Sequence, residues 1–119
     1  ITFFEIGIRL FEEKHFDLVT ALSGSGPAYF FLLMELMTEE GVRQGLPREA
    51  ATQLAVQTAV GAGLLAKSST DSPAELRKKV TSKGGTTEAA LKVFEEKKLS
   101  DIVSQALGAA LARGKELSQ

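Results

Sequence analysis

At 119 residues, the chain has room for one small domain with a modest core. Its 44% apolar and 24% charged residues are an ordinary globular balance, and a formal net charge of −1 offers no clustered positive field for nucleic acid. The absence of cysteine excludes thiol catalysis, cysteine-ligated metal and disulfides, and suits a cytoplasmic setting.

From the N-terminus, Phe4, Ile6, Ile8 and Leu10 alternate with Glu5, Gly7 and Arg9. Period two reads as a strand, at least over 7–11. A lone strand leaves its backbone groups unpaired, so this one needs a partner from elsewhere. The stretch also carries Glu5 and Arg9 where a secretion signal would be apolar. His15, the single histidine, reads as an exposed linker residue, with no metal constellation around it.

Everything after Asp17 reads helical. Asp17 can cap a short helix over 18–22, which Ser23-Gly24-Ser25-Gly26-Pro27 then breaks. Pro27 suits the first position of the next helix, 27–44, because its missing N–H costs nothing there. Gly45 ends that helix. Its longest apolar run, 28–34, falls far short of the roughly 18 to 20 residues that cross a bilayer, so no membrane partner is expected. Glu35 ends this run and reads as a salt-bridged or helix-end acid more than a functional one.

Pro47 opens a helix reaching about residue 67, with a stripe of small residues at Ala51, Ala55, Ala59 and Ala62. Gly61 and Gly63 lie inside it, each costing about 1 kcal/mol against Ala, which points to close approach of another helix. Ser72-Pro73-Ala74-Glu75 is a capping box opening a short helix to about residue 80. After a second glycine loop comes a helix over 86–97, with Ala90, Leu91 and Phe94 inward and a Glu88–Lys92 pair. Ser100 can cap the last helix, 101–117, whose inward stripe is Val103, Ala106, Leu107, Ala110, Gly114 and Leu117. The fold class is all-α, a bundle of about five helices.

Two loops place glycines and hydroxyl residues directly before a helix, where unpaired N–H groups and the helix dipole favour anions. In the 82–87 loop, Gly85 and Thr86 N–H groups can hold a carboxylate beside the Ser82 and Thr87 hydroxyls. A plain interhelical turn with threonine as N-cap explains the same spacing. The 23–27 loop lacks the Lys-Ser/Thr ending of a P-loop and does not fit the dinucleotide fingerprint. These residues alone specify no reaction.

Three motifs in order narrow the choice. Asp17-Leu18-Val19-Thr20-Ala21-Leu22-Ser23-Gly24-Ser25-Gly26-Pro27-Ala28-Tyr29, Gly45-Leu46-Pro47-Arg48-Glu49-Ala50 and Val80-Thr81-Ser82-Lys83-Gly84-Gly85-Thr86-Thr87 closely resemble the pyrroline-5-carboxylate reductase family. The resemblance covers the chain from Glu12 onward. It implies the C-terminal helical domain, 16–119, of an oxidoreductase that reduces Δ1-pyrroline-5-carboxylate to L-proline with NADPH or NADH. Residues 1–15 are then the tail and linker of an N-terminal Rossmann domain, which would supply the orphan strand's partner and most of the cofactor site.

By the same resemblance, Gly85 and Thr86 N–H groups and the Ser82 hydroxyl hold the substrate carboxylate. The Thr87 hydroxyl approaches the ring nitrogen as the catalytic donor, and Val80, Thr81 and Gly84 complete the substrate loop. Thr20, Ala21, Ser23 and Ser25 face the nicotinamide or shape its site. Two helical domains interlock as a homodimer, with further assembly left open. Lys83 departs from the proline that many members carry. Two other readings are a helical homodimerisation module without activity of its own, and the helical domain of a related imine reductase, against which the 82–87 loop argues. The segment alone is expected to be inactive.

Overall fold

The computed structural model describes residues 15–118. These are helical with no strand among them, so the all-α expectation holds there. The alternating segment expected as a strand over 7–11 lies outside the described residues. The elements are α1 (Phe16–Val19), a π-helical turn (Thr20–Gly24), α2 (Gly26–Arg43), α3 (Arg48–Ser68), α4 (Pro73–Lys79), α5 (Thr86–Glu96) and α6 (Leu99–Leu117).

The chain forms two compact units, one of Ile1–Phe31 with Lys98–Gln119, the other of Leu32–Lys97. In the first, α1, the π turn and α6 pack together. Ala21 is buried at 2% exposure. Gly114 on α6 faces Asp17, whose Oδ1 would lie 3.5 Å from a Cβ built there.

This unit departs from the sequence expectation in three places. Asp17 does not cap a helix over 18–22; it sits in the first turn of α1, with His15 at the N-cap making no side-chain bond. The glycine-serine run does not break the helix as a loop. Ser23 and Gly24 belong to the π turn, and only Ser25 separates it from α2. The Ser25 N–H reaches back five residues to the Thr20 carbonyl at 2.7 Å, so the chain accommodates the run by widening one turn. Pro27 is the second helical residue, still within the first turn where no N–H is missed. Finally, α6 begins at Leu99, with Lys98 as N-cap in the left-handed region at φ 60. The Lys98 carbonyl accepts the first bonds of α6 from Asp101 and Ile102, so Ser100 lies inside the helix and caps nothing. Of the expected inward stripe, Leu107, Ala110 and Gly114 are half-buried, while Val103, Ala106 and Leu117 are exposed.

The second unit is built on the turn from α2 into α3. Leu46 N–H donates to the Gly41 carbonyl and Gly45 N–H to Val42, with Gly45 at φ +116: a Schellman ending of α2. The chain then turns at Pro47, the N-cap of α3. Gly41 permits the approach, since a Cβ on it would lie 3.2 Å from the Ala51 methyl. Thr38, Ala51 and Ala55 are buried here.

Arg48 bridges Glu39 with two bonds, of 2.6 and 3.1 Å, and holds that carboxyl below its usual range. Arg43 and Gln44 donate to Glu40, which is lowered to about 2. Glu35 is neither at a helix end nor ion-paired with any described residue; it is an exposed mid-helix acid. The small stripe of α3 is buried at Ala51 and Ala55, half-buried at Ala59 and exposed at Ala62. Beyond its own helix, no described residue lies within 4 Å of a Cβ built on Gly61 or Gly63, so the expected close helix is not one of the described elements. In α5 only Leu91 of the expected inward trio is half-buried.

The helical run Phe16–Arg43, 28 residues with a mean hydropathy of 1.2 over its best window, is long and apolar enough to cross a bilayer by length and composition. This run is longer than the strict apolar stretch 28–34 because mean hydropathy tolerates isolated polar residues within it.

Candidate functional site

The 82–87 loop joins α4 to α5, and each end has a local cause. Ser72 opens α4 with a complete capping box: its hydroxyl accepts from Glu75 N–H at 3.2 Å, and Glu75 accepts from Ser72 N–H at 3.3 Å. The helix closes at Val80, whose N–H reaches the Arg77 carbonyl. Gly84 then takes φ +74, a left-handed turn that suits glycine. Gly85 is the N-cap of α5 and brings no side chain to its open N–H groups.

Four backbone donors of this loop divide into two pairs. Gly84 N–H donates to Glu88 Oε1 at 3.1 Å. Gly85 N–H donates to the Ser82 carbonyl at 3.0 Å. Thr86 and Thr87, the first two residues of α5, have N–H groups without an intrahelical partner, because an α-helix always leaves its first donors open. Of the two donors expected to hold an anion, the Gly85 N–H is engaged within the turn, while the Thr86 N–H, like that of Thr87, is open. A Cβ on Gly85 would lie 3.2 Å from the Ser82 carbonyl oxygen, so that position accepts only glycine without a local shift.

The side chains divide similarly. Thr81 turns its hydroxyl back to the Arg77 carbonyl at 2.6 Å, leaving oxygen lone pairs but no proton for a ligand. Ser82 is exposed and Thr87 half-buried, both beside the open donors in sequence. Val80 is exposed and adds apolar surface before the loop. Arg77, Lys78 and Lys79 end α4, and Lys83 sits in the loop itself. Lys79 is paired with Asp71, which holds it to the helix surface. The expected Glu88–Lys92 pair is not formed; Glu88 instead reaches back to Gly84.

Thr20, Ala21, Ser23 and Ser25 lie in the other compact unit, and are described by themselves. Thr20 donates its hydroxyl to Phe16 O at 2.9 Å and Ser23 to Val19 O at 3.1 Å. Ala21 is buried, so its methyl shapes the turn from inside and presents no surface to a ligand. Thr20 is exposed and Ser25 half-buried.

Two contacts escaped the sequence. Tyr29 donates its hydroxyl to the Ala21 carbonyl at 2.5 Å, eight residues back, a distance no helical spacing foretells. Glu88 was legible in part: Gly85-Thr86-Thr87-Glu88 is half of a capping box, with glycine in place of the hydroxyl residue. No group of three or more metal-ligating side chains exists among the described residues.

A family model described as pyrroline-5-carboxylate reductase dimerisation matches residues 13–117. The pyrroline-5-carboxylate reductase of Pseudomonas aeruginosa is 53% identical over 116 residues, which are 96% of this chain and 42% of that protein. The Arabidopsis thaliana protein of the same description is 46% identical over 91% of this chain and 39% of its own length.

Among solved structures, a pyrroline-5-carboxylate reductase from Coxiella burnetii superposes with a TM-score of 0.88 at 45% identity, covering 92% of this chain and 41% of that one. The Plasmodium falciparum pyrroline carboxylate reductase, solved with NADP bound, gives a TM-score of 0.86 at 34% identity, covering 92% of this chain and 44% of that one. The chain spans about two fifths of the length of these curated relatives. The chain belongs to the pyrroline-5-carboxylate reductase family, and the part of the family it matches is the dimerisation domain.

Proposed function

We propose that this segment is the substrate-binding and homodimerising half of an oxidoreductase that reduces the imine of Δ1-pyrroline-5-carboxylate to L-proline, the last step of proline biosynthesis. Residues 16–119 act as the helical domain, and 1–15 as the tail of a preceding cofactor-binding domain. The observation that carries the reading is the start of α5: two open N–H groups beside the Thr87 hydroxyl, in a chain of this family.

The substrate is an anion with a basic imine nitrogen. Its carboxylate is held by the Thr86 and Thr87 N–H groups and the Ser82 hydroxyl, aided by the positive end of the α5 dipole. The cations of Arg77, Lys78 and Lys83 draw the anion toward the loop. The Thr87 hydroxyl donates a hydrogen bond to the ring nitrogen. As the C=N bond accepts hydride at carbon, electron density moves to nitrogen, and a donor placed there stabilises it and leads a proton to it.

NADPH or NADH supplies the hydride when bound. The described residues do not fit the dinucleotide on their own. No glycine fingerprint is present, and the Thr20 and Ser23 hydroxyl protons are spent on their own helix. This segment's share of the cofactor site is limited to the surface around Thr20 and Ser25, with the remainder on the preceding domain.

The exposed apolar side chains of α2 support pairing with a second copy. Phe30, Phe31 and Leu36 are 62%, 64% and 56% exposed, far more apolar surface than an isolated helix tolerates in water. We read the length and hydropathy of this helix as those of a dimer core, not a bilayer span, and the enzyme as cytoplasmic. A pure dimerisation module is contained in this reading, and the α5 start is what exceeds it.

Steady-state kinetics test the loop in a chain of the relatives' full length. Thr87→Val removes the donor at nitrogen and lowers kcat by about a hundredfold. Ser82→Ala mainly raises KM for pyrroline-5-carboxylate, by about three- to tenfold. Negligible effects of both would defeat the assignment.

A further inference from the structure

Two backbone donors of the 82–87 turn are engaged, Gly85 N–H by the Ser82 carbonyl and Gly84 N–H by an acidic side chain. Glu88 is the third residue of α5, where the helix dipole attracts a carboxylate. It has two destinations. One is the pair of open N–H groups at Thr86 and Thr87, where it would compete with an anionic substrate. The other is Gly84, just before the N-cap. It takes the second, accepting the Gly84 N–H at 3.1 Å.

Gly84 needs such a hold. It sits at φ +74, followed by a second glycine, and consecutive glycines have more accessible backbone states than any other pair. The Gly85 N–H to Ser82 carbonyl bond closes the turn from one side, and Glu88 ties it to α5 from the other. Together they set the direction in which α5 begins, and hence where the Thr86 and Thr87 donors point.

We propose that Glu88 is a positioning residue: by accepting the Gly84 N–H it fixes the turn that presents the Thr86 and Thr87 N–H groups to the substrate carboxylate, while keeping its own charge off them. The proposal rests on the loop reading above. Glu88 itself touches no substrate.

The test compares Glu88→Ala, Glu88→Gln and Ser82→Ala in a chain of the relatives' full length, by KM for pyrroline-5-carboxylate, kcat and thermal midpoint. Glu88→Ala removes the acceptor and raises KM about tenfold, with kcat changed less than about twofold. Glu88→Gln keeps an oxygen of the same reach and holds KM within about threefold of the parent. Should Glu88→Ala not fold, Glu88→Asp, one methylene short of Gly84, carries the same expectation.

A merely structural role would lower the thermal midpoint and the active fraction without moving KM, and would overturn the proposal. So would Glu88→Gln as impaired as Glu88→Ala. An unchanged KM in Glu88→Ala with a raised KM in Ser82→Ala overturns the positioning role and leaves the loop reading standing. Unchanged KM in all variants defeats the loop reading, and the proposal with it.

Discussion

Tyr29 shows how one hydroxyl can stabilise an irregular turn. In an α-helix the Ala21 carbonyl would accept from Ser25. Here the Ser25 N–H goes to Thr20, and the Ala21 carbonyl is left to a side chain. The Tyr29 hydroxyl supplies the missing donor at a part-buried site. Tyr29→Phe leaves that carbonyl unpaired, which costs about 1 to 2 kcal/mol. Urea unfolding of the full-length variant should show the loss as a lower midpoint at unchanged slope; an unchanged midpoint would mean that water replaces the hydroxyl. The aromatic ring was visible in the motif, but its partner was not. The bond depends on a carbonyl freed by the π turn, and nothing in residue spacing announces a π turn. Thr87 stands at the other extreme. Its place at the start of a helix after two glycines was readable, and only the division of donors around it needed coordinates.

At the scale of elements, legibility followed the strength of the local signal. Gly45 and Ser72 mark their helix ends because each satisfies specific backbone groups: a Schellman turn in one case, a capping box in the other. Lys98 hid the start of α6, because a left-handed lysine N-cap goes against the preference for Ser, Thr, Asp and Asn. Gly61 and Gly63 signalled a close neighbour that no described element of this chain supplies.

Gly41 makes a sharper case. Its missing Cβ lets the end of α2 meet the Ala51 methyl, which is fixed to the α3 backbone and cannot rotate away. Gly41→Val should therefore destabilise the α2–α3 pair by about 1 to 3 kcal/mol through overpacking, despite the better helix propensity of valine. Thermal unfolding of the full-length protein checks this, and an unchanged or raised midpoint would contradict the close packing.

For the whole molecule, the exposed apolar side chains and the small buried core share one explanation. Among the described residues the buried apolar ones are Ala21, Ala51 and Ala55, all of them small, while Phe30, Phe31, Leu64 and Ile102 are more than half exposed. A domain that keeps its large side chains outside and its methyls inside is built to be completed by another surface. The all-α class and family motifs were legible in 119 residues because they are local. The choice between NADPH and NADH was not, because the chain spans about two fifths of its relatives.

The most direct test follows pyrroline-5-carboxylate-dependent oxidation of NADPH by a full-length chain and by the 119-residue segment at equal concentration. The full-length enzyme should turn over and the segment should show no rate above background, because the proposed reading puts the substrate loop in the segment and most of the cofactor site on a preceding domain. Robust turnover by the segment alone, or none by the full-length chain, would contradict the account.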